Sequence, residues 1–149
     1  MYKAFIIPFG FLYFIVLRWF RLNDCLFFDY DAVKNFTIAQ EISEGNFASL
    51  FHHGSPLLHL FHGFSYLLIK QYTLYLPAIF ESMGILIILH TLFIKYDKTS
   101  NSFWTTSTIV LTGTSFLLVN TGRYFSLEPY TVFVFALWFS HYINKKDTH

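Results

Sequence analysis

The stretch LYLPAIFESMGILIILHTLFI, residues 74–94, decides the fold. It is apolar along most of its length, and an α-helix needs about 20 mostly apolar residues to cross a bilayer. Further stretches at about 4–20, 103–119 and 128–143 qualify or nearly qualify by the same rule. The sequence therefore predicts an all-α fold, a multi-pass transmembrane bundle of about four spans, with residues 1–149 in one unit.

The composition agrees with a membrane protein. Of 149 residues, 54% are hydrophobic and only 13% are charged, and the mean hydropathy is +0.46. A soluble domain carries about 25% charged residues. The net charge of +1 and the lack of a basic patch argue against a nucleic-acid partner. Because Cys25 is the single cysteine, no internal disulfide can form.

The N-terminus resembles a signal peptide, since Lys3 is followed by an apolar run that reaches Leu17. Small residues typical of a cleavage site do not follow this run; the chain continues with RWFRLND at 18–24. We therefore expect the first span to be retained.

The orientation of the chain in the membrane depends on whether residues 55–70, SPLLHLFHGFSYLLIK, cross it. This segment is apolar but short. If this segment spans, Lys3, Lys70 and Arg123 lie inside and the other seven of the ten basic residues lie outside. If it does not span, five lysines flank span ends on the cytoplasmic side, as the positive-inside rule favours. These are Lys3, Lys95, Lys98, Lys145 and Lys146. The sequence thus predicts two cytoplasmic termini, an external loop at about 21–73, and a plasma or inner membrane location.

The external loop contains two apolar helix signals. In DAVKNFTIAQEISEG, residues 31–45, apolar residues recur at helical spacing and polar residues lie opposite, while Gly45 is a natural stop. This pattern predicts an amphipathic juxtamembrane helix resting on the membrane. Residues 56–69 are predicted to form a second, more deeply embedded helix.

Asp31 stands where the predicted helix of the loop begins, at Ala32. Aspartate is a favoured N-cap, which is a purely structural role. A carboxylate at the membrane surface is also a candidate general base. The two roles are compatible, since a capping carboxylate still exposes one oxygen.

Glu128 precedes Pro129 in NTGRYFSLEPY, between the third and fourth predicted spans. This arrangement is typical of a helix start. It also suits a hard oxygen ligand for a divalent metal, Mg²⁺ or Mn²⁺, next to a phosphate. Arg123 either holds a phosphate or lies at the interface with its head in water.

Histidines cluster in the external loop. His59 and His62 lie one helical turn apart, but without further ligands they are a weak metal signal and suit interfacial polar groups better. His53 is a candidate contact for a substrate phosphate. Glu81 lies inside a predicted span, and an intramembrane acid is a functional candidate, here one that faces a wet cavity.

Four short motifs carry a resemblance to a known family. Asp31 stands eight residues before Ala39 in AQEI, and Gly45 opens GNF. HGSPLLHL follows at 53–60, and GRYFSLEPY follows at 122–130. In this order the motifs resemble the N-terminal portion of GT-C membrane glycosyltransferases. The nearest group is the dolichyl-phosphate-mannose protein mannosyltransferases and aminoarabinose transferases, glycosyltransferase family 39.

The sequence departs from that family at three positions. Ala32 stands where a glutamate follows the first aspartate, Ser55-Pro56 replaces a proline pair, and Glu128 replaces an aspartate. The family also has many more spans. The chain is therefore expected to be a fragment of such an enzyme or a shortened relative.

The resemblance implies an enzyme of the cell envelope that moves a sugar from a polyprenyl-phosphate carrier to a lipid, glycan or protein acceptor on the extracytoplasmic face. It implies Asp31 as the catalytic residue, Glu128 at a divalent metal, and Arg123 and His53 at the phosphate. The alternative is a non-enzymatic four-helix membrane protein, an accessory subunit or lipid-carrier partner. In that case Asp31 and Glu128 only cap helices.

Overall fold

The residues that the computed structural model describes are all-helical, which confirms the all-α part of the predicted fold; the number of membrane spans stays a prediction. The structure describes the backbone of residues 2–20, 30–51, 55–96, 102–115 and 125–146, and within them the side chains of 8–20, 30–51, 55–93, 106–115 and 125–145. No strand occurs in these residues. The helices are α1 (Tyr2–Trp19), α2 (Tyr30–Ser43), α3 (Pro56–Ile69), α4 (Leu76–Tyr96), α5 (Ser102–Thr114) and α6 (Glu128–Lys146), with a 3₁₀ turn at Lys70–Tyr75.

Local sequence explains where the loop helices begin and end. Gly45 adopts φ +85°, a conformation that glycine tolerates best, directly after the last turn of α2. Pro56 occupies the first turn of α3, where its missing N–H costs nothing. Lys70 adopts φ 52° and separates α3 from the 3₁₀ turn that leads into α4. The stop predicted at Gly45 is therefore confirmed.

One helical stretch among the described residues, Pro56–Phe93, is long and apolar enough to cross a membrane. Most of α4 lies in this stretch. Helix α4 has 21 residues and is about 31 Å long, which matches a hydrocarbon core of about 30 Å. The 14 residues of α3 reach only about 21 Å. A shorter apolar helical segment, Pro8–Trp19, belongs to α1.

The long helices alternate in direction. Gly10 faces Leu86 and Ile109, and Gly113 faces the ring of Phe14. The contacts with Ile109 and Gly113 follow the same order along both helices, so α1 runs parallel to α5. The ion pair described below shows that α1 runs antiparallel to α4. Gly84 lies against the backbone of Phe133, where an added Cβ would come within 2.9 Å of its Cα. Glycine at 84 therefore allows α4 and α6 to approach closely.

A hydrogen bond fixes the direction of α6. The Thr91 hydroxyl donates to the Ser140 hydroxyl at 3.0 Å, two turns beyond the contact between Gly84 and Phe133. Both contacts pair residues 49 positions apart, so α4 and α6 run in parallel. Helices α1 and α5 thus point one way, and α4 and α6 point the other way.

A buried ion pair joins α1 to α4. Arg18 Nε donates to Glu81 Oε2 at 2.8 Å, and both side chains are fully buried. Arg18 Nη1 also donates to the Phe14 carbonyl at 3.3 Å, and the guanidinium lies over the Phe14 ring. Arg18 lies in the last turn of α1 and Glu81 lies near the start of α4. The pair therefore marks the end of the bundle where α4 and α6 begin. We call this the ion-pair end.

Large apolar side chains cover much of the exterior, whereas several polar groups are inside. Exposed examples occur on α1, α3, α5 and α6, and a surface this rich in them is typical of contact with lipid or protein. The exposed set includes Phe9, Leu12, Val16, Leu57, Leu68, Leu111, Val134 and Trp138. The buried polar set includes Arg18, His59, His62, Thr73, Glu81, Ser82 and Thr91.

Removing either member of the ion pair should destabilise the bundle strongly. Glu81→Leu leaves the Arg18 guanidinium buried without this carboxylate, and breaking a buried pair costs about 3–5 kcal/mol. Arg18→Leu should cost a similar amount for the same reason. The double variant R18L/E81L removes both charges and should recover most of the lost stability. The midpoint of thermal unfolding in detergent measures all three. Single variants as stable as the unmodified chain would contradict the expectation.

Candidate functional site

The candidate site lies at the ion-pair end, where α2 and α3 pack beside the start of α4 and α6. The Trp19 ring meets Tyr75 edge-on at 5.0 Å, which joins α1 to the 3₁₀ turn. Phe61 of α3 meets Phe80 of α4 at 5.8 Å and Tyr130 of α6 at 5.6 Å. The loop helices are therefore in contact with the long helices at this end.

Small residues let α2 and α3 approach each other. Ala32 and Ala39 of α2 are buried together with Phe125, from the segment that precedes α6. Gly63 of α3 faces Ile42, and a Cβ at position 63 would overlap the Ile42 side chain. Glycine is required there by space, not by its backbone angle. This close contact determines which faces of α2 and α3 meet, and the polar groups of the site lie on these helices.

A chain of hydrogen bonds crosses the site. Asn35 Nδ2 donates to the Phe125 carbonyl at 2.9 Å, and Asn35 Oδ1 lies 3.2 Å from His59 Nε2. On the other side of the imidazole, Nδ1 lies 3.1 Å from the Leu50 carbonyl. The chain therefore connects the loop after α2, helix α3, helix α2 and the segment before α6. We call it the Asn35 bridge.

His62 forms a second polar contact one turn along α3. Its Nε2 lies 2.7 Å from the Tyr130 hydroxyl, and its ring stacks on Phe125 at 3.9 Å. Burial lowers the pKa of His62, and the neighbouring His59 lowers it further, so the ring is neutral. Its Nδ1 makes no hydrogen bond within the described part of the chain.

The two histidines are thus engaged by the protein. His59 binds Asn35 and Leu50, and His62 binds Tyr130. Among the described residues, no three His, Cys, Asp or Glu side chains come together as a metal site. Both rings are buried, so the expectation that they are interfacial polar groups needs a correction: they are internal groups that hydrogen-bond to the protein.

Asp31 lies in the first turn of α2 and is exposed. The helix begins at Tyr30, two residues earlier than predicted, so Asp31 lies inside the first turn and not at the N-cap. A carboxylate in the first turn still interacts favourably with the helix dipole. Its exposure leaves the carboxylate accessible to a substrate.

Glu128 is the first residue of α6 and is also exposed. It lines a shallow groove of about 440 Å³ together with Leu127, Thr131 and Phe135. The described residues offer no cluster of further ligands beside it. A divalent ion at Glu128 therefore stays a prediction from the resemblance. Arg123 and His53, the predicted phosphate contacts, lie outside the described residues.

The prediction for Glu81 needs a correction. We expected this acid to face a wet cavity, but it is fully buried and paired with Arg18. The two residues are 63 positions apart, so periodicity gave no signal that would pair them. The available hint was that Arg18 ends the first predicted span and that Glu81 lies near the start of the second.

An apolar groove opens beside the site. It has a volume of about 830 Å³ and lies between α3, α4 and α6. Its lining includes Leu58, Phe61, Phe80, Tyr130, Val134 and Trp138. Tyr130 links the groove to the interior, because its hydroxyl contacts His62. The groove can accept an apolar chain.

Comparison with protein-family models, with curated proteins and with solved structures finds no match. The resemblance drawn from the four motifs therefore stays a prediction, and the site is interpreted from its own geometry.

Tyr130→Phe should destabilise the site. The variant removes the hydroxyl that lies 2.7 Å from His62 Nε2, and among the described residues it leaves both nitrogens of this buried ring without a hydrogen-bond partner. An unsatisfied buried polar group costs about 1–3 kcal/mol. Tyr142→Phe is the matched control, since Tyr142 lies on the same helix and is exposed. Thermal unfolding should show a lower midpoint for Y130F alone; equal midpoints for the two variants would contradict the role of the contact.

Proposed function

We propose that this chain is an integral membrane protein with four spans, α1, α4, α5 and α6, and with both termini cytoplasmic. We propose further that it is a membrane glycosyltransferase, or part of one, that moves a sugar from a polyprenyl-phosphate carrier to an acceptor on the extracytoplasmic face. The observation that carries this proposal is the apolar groove between α3, α4 and α6. Helix α6 begins at Glu128, and α3 packs against α2, the helix that bears Asp31.

The directions of the long helices support the topology. A chain with four spans and both termini on one side must alternate in direction, and α1 and α5 oppose α4 and α6 as this requires. The loop helices α2 and α3 both lie at the ion-pair end, which becomes the outer end. The lysines of the other end, including Lys145 and Lys146, then obey the positive-inside rule.

The distribution of polarity supports a lipid environment. Contact with lipid would remove the exposed apolar side chains of α1 and α6 from water. The charged side chains of Arg18 and Glu81 are buried between the long helices and would not contact lipid. Arg18 and Glu81 satisfy each other in the interior, as intramembrane charges usually do. A polyprenyl chain has the same apolar chemistry as the groove lining.

The proposed reaction uses groups at the outer end. The acceptor hydroxyl oxygen forms a bond to the anomeric carbon while the bond from that carbon to the carrier phosphate breaks. Asp31 takes the hydroxyl proton, and the lipid phosphate leaves with the electron pair. Cations stabilise the developing phosphate charge, and Arg123 and His53 are the proposed contacts.

Asp31→Asn should abolish sugar transfer and leave the fold intact, because the amide cannot accept the proton at neutral pH. Glu44→Gln is the matched control, since Glu44 is another exposed acid just beyond α2. The measurement is transfer of radiolabelled sugar from polyprenyl-phosphate sugar in membranes that contain the protein. Full transfer by D31N would exclude Asp31 as the base.

Binding separates the enzyme from the alternative. A photoreactive polyprenyl-phosphate sugar should label the groove, and the unlabelled donor should compete. If neither transfer nor competed labelling occurs, the chain is better explained as a non-enzymatic accessory protein. In that case Asp31→Asn would remove only the interaction of the carboxylate with the helix dipole, which is worth about 0.3–1 kcal/mol.

A further inference from the structure

A second groove lies at the end of the bundle opposite to the ion-pair end, where α1 begins and where α4 and α6 end. It has a volume of about 790 Å³ and lies between these three helices. We call it the lysine-end groove, because the helix ends around it carry Lys3, Lys95, Lys145 and Lys146. The proposed sugar transfer does not use this groove.

The lining of the lysine-end groove changes from apolar to polar along its length. Towards the middle of the bundle the lining is apolar, with Pro8 and Phe11 of α1, Met83, Leu86 and Ile87 of α4, and Leu137 of α6. Towards the lysine end the lining is polar, with His90 and Thr91 of α4 and Ser140, His141 and Asn144 of α6. The polar groups of the two helices share one end because α4 and α6 run in parallel. The groove therefore suits a ligand that is itself apolar at one end and polar at the other.

The polar part of the groove offers hydrogen-bond donors. The side chains of His90, His141 and Asn144 are exposed. An imidazole carries at least one N–H in either charge state, and an asparagine amide carries two, so all three side chains can donate. Donors from two adjacent helices thus line one part of the groove, which favours a ligand with several acceptor oxygens, such as a phosphate.

The charge around the groove favours an anion. By sequence, the helix ends at this end of the bundle and the residues directly after them carry five lysines and two aspartates. The aspartates are Asp97 and Asp147, and Lys98 is the fifth lysine. Lysines that flank membrane spans attract anionic lipids. A negatively charged head group therefore complements this end of the protein.

The depth of the polar part matches the edge of a membrane. His90 lies six residues before Tyr96, the last residue of α4, and this is about 9 Å of helix rise. Met83 lies seven residues before His90, so the apolar part extends about 10 Å further into the bundle. One leaflet contributes about 15 Å to a hydrocarbon core of about 30 Å. A lipid of that leaflet can thus lay an acyl chain on the apolar lining while its head group reaches the polar part.

We propose that the lysine-end groove binds one anionic phospholipid, whose phosphate accepts hydrogen bonds from His90, His141 and Asn144 and one of whose acyl chains lies on the apolar lining. A purely apolar chain would leave the imidazoles and the amide against hydrocarbon, where unsatisfied polar groups are costly. A soluble anion would leave the apolar lining in water. The site rests on the proposed membrane location but not on the proposed sugar transfer. With both termini cytoplasmic, the lipid belongs to the cytoplasmic leaflet.

Native mass spectrometry of the full chain in detergent tests the proposal. The probes are phosphatidylglycerol, which is anionic, and phosphatidylcholine with the same acyl chains, which is zwitterionic. We expect one phosphatidylglycerol molecule to bind about tenfold more tightly than phosphatidylcholine, since nearby lysines favour the anionic lipid. Soluble glycerol phosphate, which has no acyl chain, should not compete at the same concentration. Equal affinity for the two lipids, or competition by glycerol phosphate, would overturn the proposal.

Replacing both imidazoles tests the polar part of the groove. The combined variant His90→Ala and His141→Ala should weaken phosphatidylglycerol binding by about tenfold or more, because hydrogen bonds to charged groups are strong. Both side chains are exposed, so their loss should leave the fold intact. Tyr142→Ala is the matched control, since Tyr142 is exposed beside His141 and does not line the groove. An affinity of the double variant equal to that of the control would overturn the role of the imidazoles.

Leu137→Trp tests the apolar part by filling it. Leu137 is an exposed residue of the lining, and the larger indole would take the space of the acyl chain. Leu111→Trp is the matched control, because Leu111 is exposed on α5 and lies outside the groove. We expect L137W alone to lose phosphatidylglycerol binding. Equal binding by both variants would overturn the position of the acyl chain.

Two further outcomes separate this site from the proposed sugar transfer. If polyprenyl phosphate displaces phosphatidylglycerol from the unmodified chain at a lower concentration than phosphatidylglycerol itself does, the groove belongs to the sugar carrier and the proposal is overturned. Failure of the proposed sugar transfer appears instead as absent donor labelling in the groove beside Tyr130. That result would leave the affinities for the two phospholipids unchanged.

Discussion

The buried pair of Arg18 and Glu81 is the interaction on which the rest of the structure depends. Two charges without solvent exposure must satisfy each other, and at 2.8 Å they set the end of α1 against the second turn of α4. The same register brings Gly10 to Leu86 and Ile109. The residues that connect α1 to α4, including α2 and α3, must then return to the start of α4 at that end of the bundle.

Much of the fold could be predicted from the sequence because its signals are local. The apolar runs, the amphipathic pattern of 31–45 and the stop at Gly45 all depend on neighbouring residues, and the structure has helices in each of these places. The helix predicted at 56–69 matches α3 at both ends, and the positive φ of Lys70 marks the break that follows it. The predicted start of α2 was late by two residues, because Tyr30 is not a typical helix-start signal.

The candidate site was less predictable because its contacts are distant in sequence. Asp31 and Glu128 were found through short motifs, but Asn35 was passed over as one polar residue of an amphipathic helix. Its partners are 90 and 24 positions away, and no periodicity connects them. His62 was visible as a histidine, whereas its stacking on Phe125 depends on a segment that enters from the start of α6.

These contacts organise the ion-pair end of the bundle. The Asn35 bridge holds α2 and α3 to the segment before α6, and His62 holds α3 to α6 through Tyr130. The apolar groove passes beside Tyr130 and along exposed apolar residues of α6. Under the proposed function, the lipid chain of the sugar carrier would lie in this groove.

The central claim is that the bundle crosses the membrane with its loop helices outside and its termini inside. Single cysteines at Asn46 and Asn144, both exposed, test it in a Cys25→Ser background. A membrane-impermeant maleimide applied to intact cells should label position 46 directly and position 144 only after the membrane is opened. Labelling of both positions from outside, or of position 144 alone, would contradict the account.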